Sequence, residues 1–134
     1  MASKYSIAIL AVAGLALASV SGCAGPYRDL DEDSLSEREV PDSLPEYALE
    51  DFDHDTTRWV GEYKEDQLWL SEGTATRSVC LLVYPDDENW IAGCGGLQLG
   101  LGRGAGAEYL VLPDDTDPPS DATAISSNVY VLGD

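Results

Sequence analysis

The fold is decided by the stretch SVCLLVYPDDENWIAGC, residues 78–94. Two apolar runs flank a cluster of turn-forming residues, a pattern typical of an antiparallel hairpin. A turn centred on Asp87 pairs Cys80 with Cys94, Leu82 with Ala92, Val83 with Ile91 and Tyr84 with Trp90. This one register sets the two cysteines directly opposite each other, at a spacing that a disulfide tolerates. Because both faces of the hairpin are apolar, we expect it in the middle of a sheet that is covered on both sides.

Short apolar runs separated by turn residues continue on both sides of this hairpin, and none has the apolar spacing of a helix. The predicted strands are residues 58–63, 67–71, 78–84, 89–94, 97–101, 108–112 and 128–132. The run from Pro113 to Asp121 is predicted to be a surface loop, because the prolines at 118 and 119 cannot donate to a ladder. The sequence therefore predicts a mainly β fold, a small antiparallel sheet or sandwich-like domain over residues 57–134 with one disulfide.

Residues 23–56 have a different composition, in which many acidic residues stand against only Arg28 and Arg38. Such a segment buries too little apolar surface to offset its ordering entropy. It is predicted to be a disordered acidic tether whose reach is on the order of 100 Å. A short helical turn over residues 45–52, with Tyr47, Leu49 and Phe52 docked weakly on the domain, is an alternative for part of it.

Residues 1–22 are predicted to be a signal peptide, because Lys4 precedes an apolar stretch from Ile7 to Ala18 that contains no acidic residue. A transmembrane helix needs about 20 apolar residues, and this stretch is shorter. The sequence Val20-Ser21-Gly22-Cys23 resembles the lipobox of bacterial lipoproteins. That resemblance implies cleavage before Cys23, acylation of this cysteine with chains such as palmitate, and attachment to the extracytoplasmic face of the cell membrane. The alternative is an ordinary signal peptide, with Cys23 left as a free or buried thiol.

Export would place the chain in an oxidising compartment, where Cys80 and Cys94 are expected to form a disulfide. The net charge is −18, and removing residues 1–22 takes away one lysine and no acidic residue, which makes it −19. Such a field repels nucleic acid and anionic lipid head groups. Acylation of Cys23 would make membrane lipid a partner of the chain. An envelope protein or glycan is the other expected partner.

A weak candidate metal site begins in the tether. Asp51, Asp53, Asp55 and Glu62 match the charged skeleton of an EF-hand calcium loop. The match is partial, because Thr56 stands where that loop requires glycine, and the following segment is predicted to be a strand. An acidic linker leading into the first strand is the competing interpretation, and no cofactor is expected.

No nucleophile supported by a histidine is evident in the sequence. The single histidine, His54, lies among acidic residues of the predicted tether, where nothing excludes water. We therefore expect a non-catalytic binding or structural module of the envelope. A calcium-dependent binding module and an envelope enzyme are the alternatives. The aromatic residues Trp59, Tyr63, Trp69 and Trp90 are expected mainly to fill the core, and the alternative is that they line a surface for glycan or peptide.

Several short motifs also resemble small cell-envelope proteins of actinobacteria. They are TRWVGE at residues 57–62, LWL at 68–70, VCLLV at 79–83, WIAGCGG at 90–96 and YLVLPD at 109–114. The resemblance implies export and a cysteine-paired β domain. It implies no catalytic residue.

Overall fold

The computed structural model describes residues 26–31, 38–102 and 107–133. A short helix, α1 (Arg28–Asp31), and two 3-10 helices, Glu46–Leu49 and His54–Thr56, precede the strands. The strands are β1 (Arg58–Tyr63), β2 (Asp66–Glu72), β3 (Val79–Tyr84), β4 (Ile91–Gly95), β5 (Leu99–Gly102), β6 (Glu108–Val111), β7 (Thr123–Ala124) and β8 (Val129–Leu132). They form two antiparallel sheets, in the orders β1-β2-β3-β4 and β5-β6-β8-β7. The predicted mainly β, sandwich-like fold is confirmed.

The central hairpin has the predicted register. Cys80 pairs with Cys94, Leu82 with Ala92 and Val83 with Ile91, and the two cysteines form a disulfide with their Cα atoms 4.0 Å apart. The ladder ends there, because β4 begins at Ile91, so the predicted pairing of Tyr84 with Trp90 is not among its pairs. Their rings instead contact Trp69 and Tyr47 respectively.

The prediction that this hairpin lies in the middle of a sheet is right for β3 and wrong for β4. Strand β3 lies between β2 and β4, whereas β4 is an edge strand. The chain leaves the first sheet after β4 and enters the second sheet at β5. At this corner a Cβ on Gly95 would lie 3.0 Å from the carbonyl oxygen of Gln98, so the tight turn favours glycine. Strand β7 lies in a region where the sequence predicted no strand.

The main core lies between the two sheets. Because side chains of a strand alternate between faces, Leu68 and Leu70 of β2 point the same way and Trp69 points the opposite way. The inner faces of the two sheets pack against each other. The buried residues of this core include Val79, Leu81, Val83, Tyr109, Val111, Val129 and Val131. This burial supplies the main hydrophobic stabilisation of the sandwich.

The outer face of the first sheet is covered as well, by residues 38–56, which we name the strap. Phe52, only 3% exposed, packs with Trp69, Cys80 and Leu82 in a second buried cluster. Val40, Leu44 and Leu49 of the strap pack against the same cluster. The prediction that β3 is covered on both faces is thus confirmed, and the cover on one face comes from the chain N-terminal to β1.

Residues 26–31, which we name the clip, are also packed on the domain. Tyr27 is 5% exposed within the main core, and its hydroxyl donates to the carbonyl of Leu97 at 2.5 Å. Asp29 accepts hydrogen bonds from the backbone N–H groups of Ser127 and Asn128, at 3.1 and 2.9 Å. The Asn128 side chain in turn accepts from the backbone N–H of Asp29, at 2.9 Å. These reciprocal bonds fix the clip against the start of β8.

The tether predicted over residues 23–56 therefore differs from the structure wherever the structure describes it. The clip and the strap both belong to the folded domain, so the predicted boundary at residue 57 falls inside that domain. The physical reason is that a few well-spaced apolar side chains, above all Tyr27 and Phe52, find buried sites despite the acidic residues between them. The alternative of a short turn with docked Leu49 and Phe52 agrees with the 3-10 helix Glu46–Leu49.

Candidate functional site

The most exposed large hydrophobic side chain among the described residues is that of Tyr47, which is 68% exposed. It stands on the 3-10 helix Glu46–Leu49 of the strap, which begins after the extended Pro45. Its ring lies 6.1 Å from the ring of Trp90, centroid to centroid, with the two planes inclined at 48°. Trp90 is half-buried and packs against the second buried cluster, and this packing holds its ring in place. We name Tyr47 and Trp90 the aromatic pair.

A hydrogen-bonded cluster of strap and sheet residues lies on the same face of the first sheet. The hydroxyls of Ser43 and Tyr84 both donate to the carboxylate of Asp87. These two hydrogen bonds lower the pKa of Asp87 below its ordinary value, and the bond from Ser43 has the larger effect. Donation to the Asp87 carboxylate raises the pKa of the Tyr84 hydroxyl above its ordinary value. The cluster therefore ties the strap to the β3–β4 turn and leaves an ionised carboxylate at the surface.

The β3–β4 turn itself is held by Asp86. Its carboxylate accepts from the backbone N–H groups of Glu88 and Asn89, both at 2.8 Å, and from the side-chain amide of Asn89. This is the local side chain to backbone bonding that favours Asp in turns. It gives the end of the hairpin that carries Trp90 a defined shape.

A second surface lies at the opposite end of β3, around the loop Gly73–Ser78 that joins β2 to β3. Cavities of about 510 and 450 Å³ flank this loop. The first is lined also by Pro26, Tyr27 and Leu97, and the second by Asp51 and by residues 94–96. We name this surface, formed by residues 73–78 with Pro26, Tyr27 and Leu97, the loop end.

Two side chains of the loop end lack the contacts that are usual for their type. Leu97 is 51% exposed. Arg77 is exposed, makes no ion pair or side-chain hydrogen bond within the part of the chain that the structure describes, and adopts φ 58°. Left-handed backbone in a residue other than glycine is uncommon, and the surrounding fold has to enforce it. The loop thus presents a guanidinium group and an apolar side chain to solvent.

The calcium hypothesis does not agree with the geometry of its four residues. Asp53 caps the 3-10 helix His54–Thr56, with its side chain accepting from the backbone N–H of Asp55. Glu62 lies on extended β1, where its carboxylate accepts from the Gln67 amide at 2.7 Å. No group of three or more possible metal ligands is assembled among the residues that the structure describes. The carboxylates are kept apart because the segment after Thr57 is a strand and not the exit helix of a calcium loop.

The backbone carbonyl of Asp53 has a different role, because three hydroxyl groups converge on it. Those of Thr56, Thr57 and Ser71 donate to it at 2.9, 3.1 and 2.8 Å. Ser71 is fully buried in β2, so these bonds fasten the end of the strap to the sheet and satisfy buried polar groups. His54, nearby, lies 3.1 Å through Nε2 from the carbonyl oxygen of Leu49 and is exposed.

The four aromatic residues considered from the sequence have different environments. Trp69 is buried and donates from its indole to the carbonyl of Arg38 at 3.0 Å. Trp59 is half-buried beneath the Arg38 guanidinium, whose central carbon lies 4.8 Å from the ring centroid. Tyr63 packs edge-on against buried Tyr109 in the main core. Only Trp90, through its contact with exposed Tyr47, contributes to an aromatic surface of the kind that the sequence raised as an alternative.

The predicted lipidation site, Cys23, and the predicted signal peptide lie outside the described residues. Within residues 26–31, 38–102 and 107–133, no helix has the length and apolar character needed to cross a membrane. Sequence reasoning did not find the Ser43, Tyr84 and Asp87 cluster or the loop end. Both sites depend on how the strap and the clip pack on the domain, and no local sequence pattern predicts that packing.

The described surface therefore offers two sites with different chemistry. The aromatic pair, next to turn carboxylates, suits a ligand with apolar faces and hydrogen-bond donors. The loop end, with Arg77 and Leu97, suits a surface that carries anionic and apolar groups together. No protein-family model, curated protein or solved structure matches this chain.

Proposed function

We propose that this chain is exported, cleaved before Cys23 and held by acyl chains on that cysteine at the extracytoplasmic face of the cell membrane, where its domain acts as a non-catalytic binding module. The ligand we propose is an uncharged or cationic glycan of the envelope, bound at the aromatic pair. The observation that carries the binding proposal is the 68% exposure of Tyr47 beside a fixed Trp90.

The lipobox-like sequence supports the anchor, and the Cys80–Cys94 disulfide supports the compartment. Disulfides persist in oxidising compartments outside the cytoplasm. With that pair oxidised, Cys23 is the one cysteine left over, and acylation gives it a role. Each buried CH₂ group of an acyl chain adds about 0.8 kcal/mol, so two or more chains give stable attachment.

We expect the substitution Cys23→Ala to release the protein from membranes, because the acyl chains would supply the whole attachment. The measurement is the distribution of the protein between membrane pellet and medium, with intact mass analysis of the anchored form. Wild-type protein should carry acyl mass on its first residue. The control is Cys94→Ala, which also removes a cysteine but leaves the lipobox intact and should keep the protein in the pellet. Retention of Cys23→Ala in membranes would overturn the anchor.

Glycan is favoured as the ligand by the combination of rings and acceptors. Tyr and Trp present rigid, amphipathic area at low entropic cost, which suits the apolar faces of sugar rings. Asp87, with its lowered pKa, and the neighbouring Asp86 and Asn89 offer oxygen acceptors for sugar hydroxyl groups. The same carboxylates repel anionic polymers, so the proposed glycan is uncharged or cationic.

We expect Tyr47→Ala and Trp90→Ala each to weaken the binding of isolated envelope polysaccharide by about tenfold or more, because aromatic anchors dominate such surfaces. The measurement is a sedimentation binding assay with detergent-purified full-length protein. The matched control is Leu97→Ala, which removes the other exposed large hydrophobic side chain among the described residues, at the opposite end of β3, and should leave binding unchanged. Unchanged circular dichroism would show that the variants are folded.

Two results would contradict this site. One is wild-type affinity in both aromatic variants. The other is binding that survives complete digestion of the polysaccharide but is lost when the preparation is treated with protease, which would identify a protein partner instead.

A further inference from the structure

The clip fixes how close the domain must lie to any anchor at Cys23. Pro26 is held to the domain, because its carbonyl accepts from the backbone N–H of Asp114 at 2.8 Å, and Tyr27 follows it into the main core. Cys23 and Pro26 are three residues apart, and an extended chain spans at most about 3.6 Å per residue. An anchor at Cys23 can therefore be separated from Pro26 by no more than about 11 Å of chain.

The surface around Pro26 is the loop end. Pro26 and Tyr27 line the same cavity as Arg77 and Leu97. The Tyr27 hydroxyl also donates a hydrogen bond to the backbone carbonyl of Leu97. An acylated Cys23 would place its chains in the hydrocarbon of the leaflet. The loop end is consequently the part of the domain that the anchor brings to the membrane.

The chemistry of the loop end suits an interfacial position. Leu97 offers an exposed apolar side chain, and Arg77 offers a guanidinium group with no partner among the described residues. Arginine binds phosphate through paired N–H donors, and lipid head groups carry phosphate. Glu72 and Asp51 line the two cavities behind the loop and oppose deeper insertion. The contact is therefore confined to the loop and Leu97.

We infer that the loop end rests against the outer surface of the membrane, with Leu97 at the head-group boundary and Arg77 on a lipid phosphate. This inference rests on the proposed anchor at Cys23. It deepens that proposal, because the aromatic pair lies at the other end of β3. Five residue steps of about 3.4 Å separate the ends of that strand by about 17 Å. The membrane contact thus turns the aromatic pair away from the lipid and toward the envelope.

The test uses full-length, acylated protein in vesicles of phosphatidylcholine, with a photoreactive benzoylphenylalanine at position 97. The matched control carries the same residue in place of Tyr47, which is also a strongly exposed hydrophobic residue in the part of the chain that the structure describes. After irradiation, lipid adducts are counted by mass spectrometry. We expect several-fold more adduct at position 97 than at position 47. A second variant carries a spacer of about 20 glycine and serine residues between Cys23 and Pro26. The average span of this spacer, about 25 Å, would free the loop end from the leaflet.

We expect this spacer to reduce the adduct at position 97 to the level seen at position 47 while the protein still floats with the vesicles. Equal labelling at the two positions without the spacer, in protein that floats, would overturn the inference and leave the anchor standing. Undiminished labelling at position 97 with the spacer would overturn the claim that the short connection sets the orientation. Protein without acyl mass on Cys23 would overturn both the anchor and the orientation that rests on it.

Discussion

A chain shortened to begin at Thr57 should not fold cooperatively, even though strands β1 to β8 remain. Removal of the clip and the strap takes Tyr27 out of the main core and uncovers Trp69 and Leu82 on the outer face. Loss of one buried Phe side chain alone costs about 3–5 kcal/mol, and domains are stable by about 5–15 kcal/mol in total. The measurement is thermal unfolding of the shortened chain, with its Cys80–Cys94 disulfide formed, followed by circular dichroism, where we expect no sharp transition.

Single substitutions in the strap separate burial from simple loss of chain length. Phe52→Ala should lower the free energy of unfolding by about 3–5 kcal/mol, because Phe52 is 3% exposed in the second cluster. Tyr47→Ala, five residues earlier on the same strap, should change it by less than about 0.5 kcal/mol, because its ring is 68% exposed. Equal effects of the two substitutions, or a normal transition in the shortened chain, would show that the strap does not belong to the folded unit.

The sequence predicted the central hairpin because its constraints are local. Between Cys80 and Cys94, the turn residues, the apolar runs and the two cysteines all require the same register, and the structure has it. The burial of both faces of β3 could also be predicted, because its apolar run is unbroken. The position of β4 at the sheet edge did not follow, because the corner at Gly95 that sends the chain to the second sheet is a property of the whole topology.

Composition misled the prediction for the residues before β1. Averaged over residues 23–56, charge outweighs apolar area, yet the structure uses individual acidic groups as acceptors. Asp29 binds backbone N–H groups at the start of β8, and Asp53 caps a 3-10 helix. The aromatic pair could not be predicted either. Tyr47 and Trp90 are distant in sequence, and the packing of the strap brings their rings together.

We expect replacement of both Cys80 and Cys94 by alanine to destabilise the domain by about 2–4 kcal/mol, which corresponds to a fall in Tm on the order of 10–20 °C. The bridge closes a short loop, with a sequence separation of 14, and so removes freedom from the unfolded chain. It also ties β4, an edge strand with a single hydrogen-bonded neighbour, to β3. The measurement is urea unfolding of the double variant beside oxidised wild-type protein. Reduced wild-type protein is the control and should lose a similar amount.

The two single serine variants should differ, because the two sulfur atoms lie in different surroundings. Each variant breaks the bridge. Cys80→Ser also places a hydroxyl group in a fully buried site between Phe52 and Leu82, whereas Cys94 is exposed and its hydroxyl would remain in water. The Cys80 Sγ atom lies 3.5 Å from the carbonyl oxygen of Asp51, too far for a strong O–H···O bond from the shorter serine side chain. A buried, poorly bonded hydroxyl group costs about 1–3 kcal/mol, so Cys80→Ser should be the less stable variant by that amount. Equal stabilities of the two serine variants would mean that the site at position 80 satisfies the hydroxyl group. A double alanine variant as stable as oxidised wild-type protein would mean that packing alone holds β4.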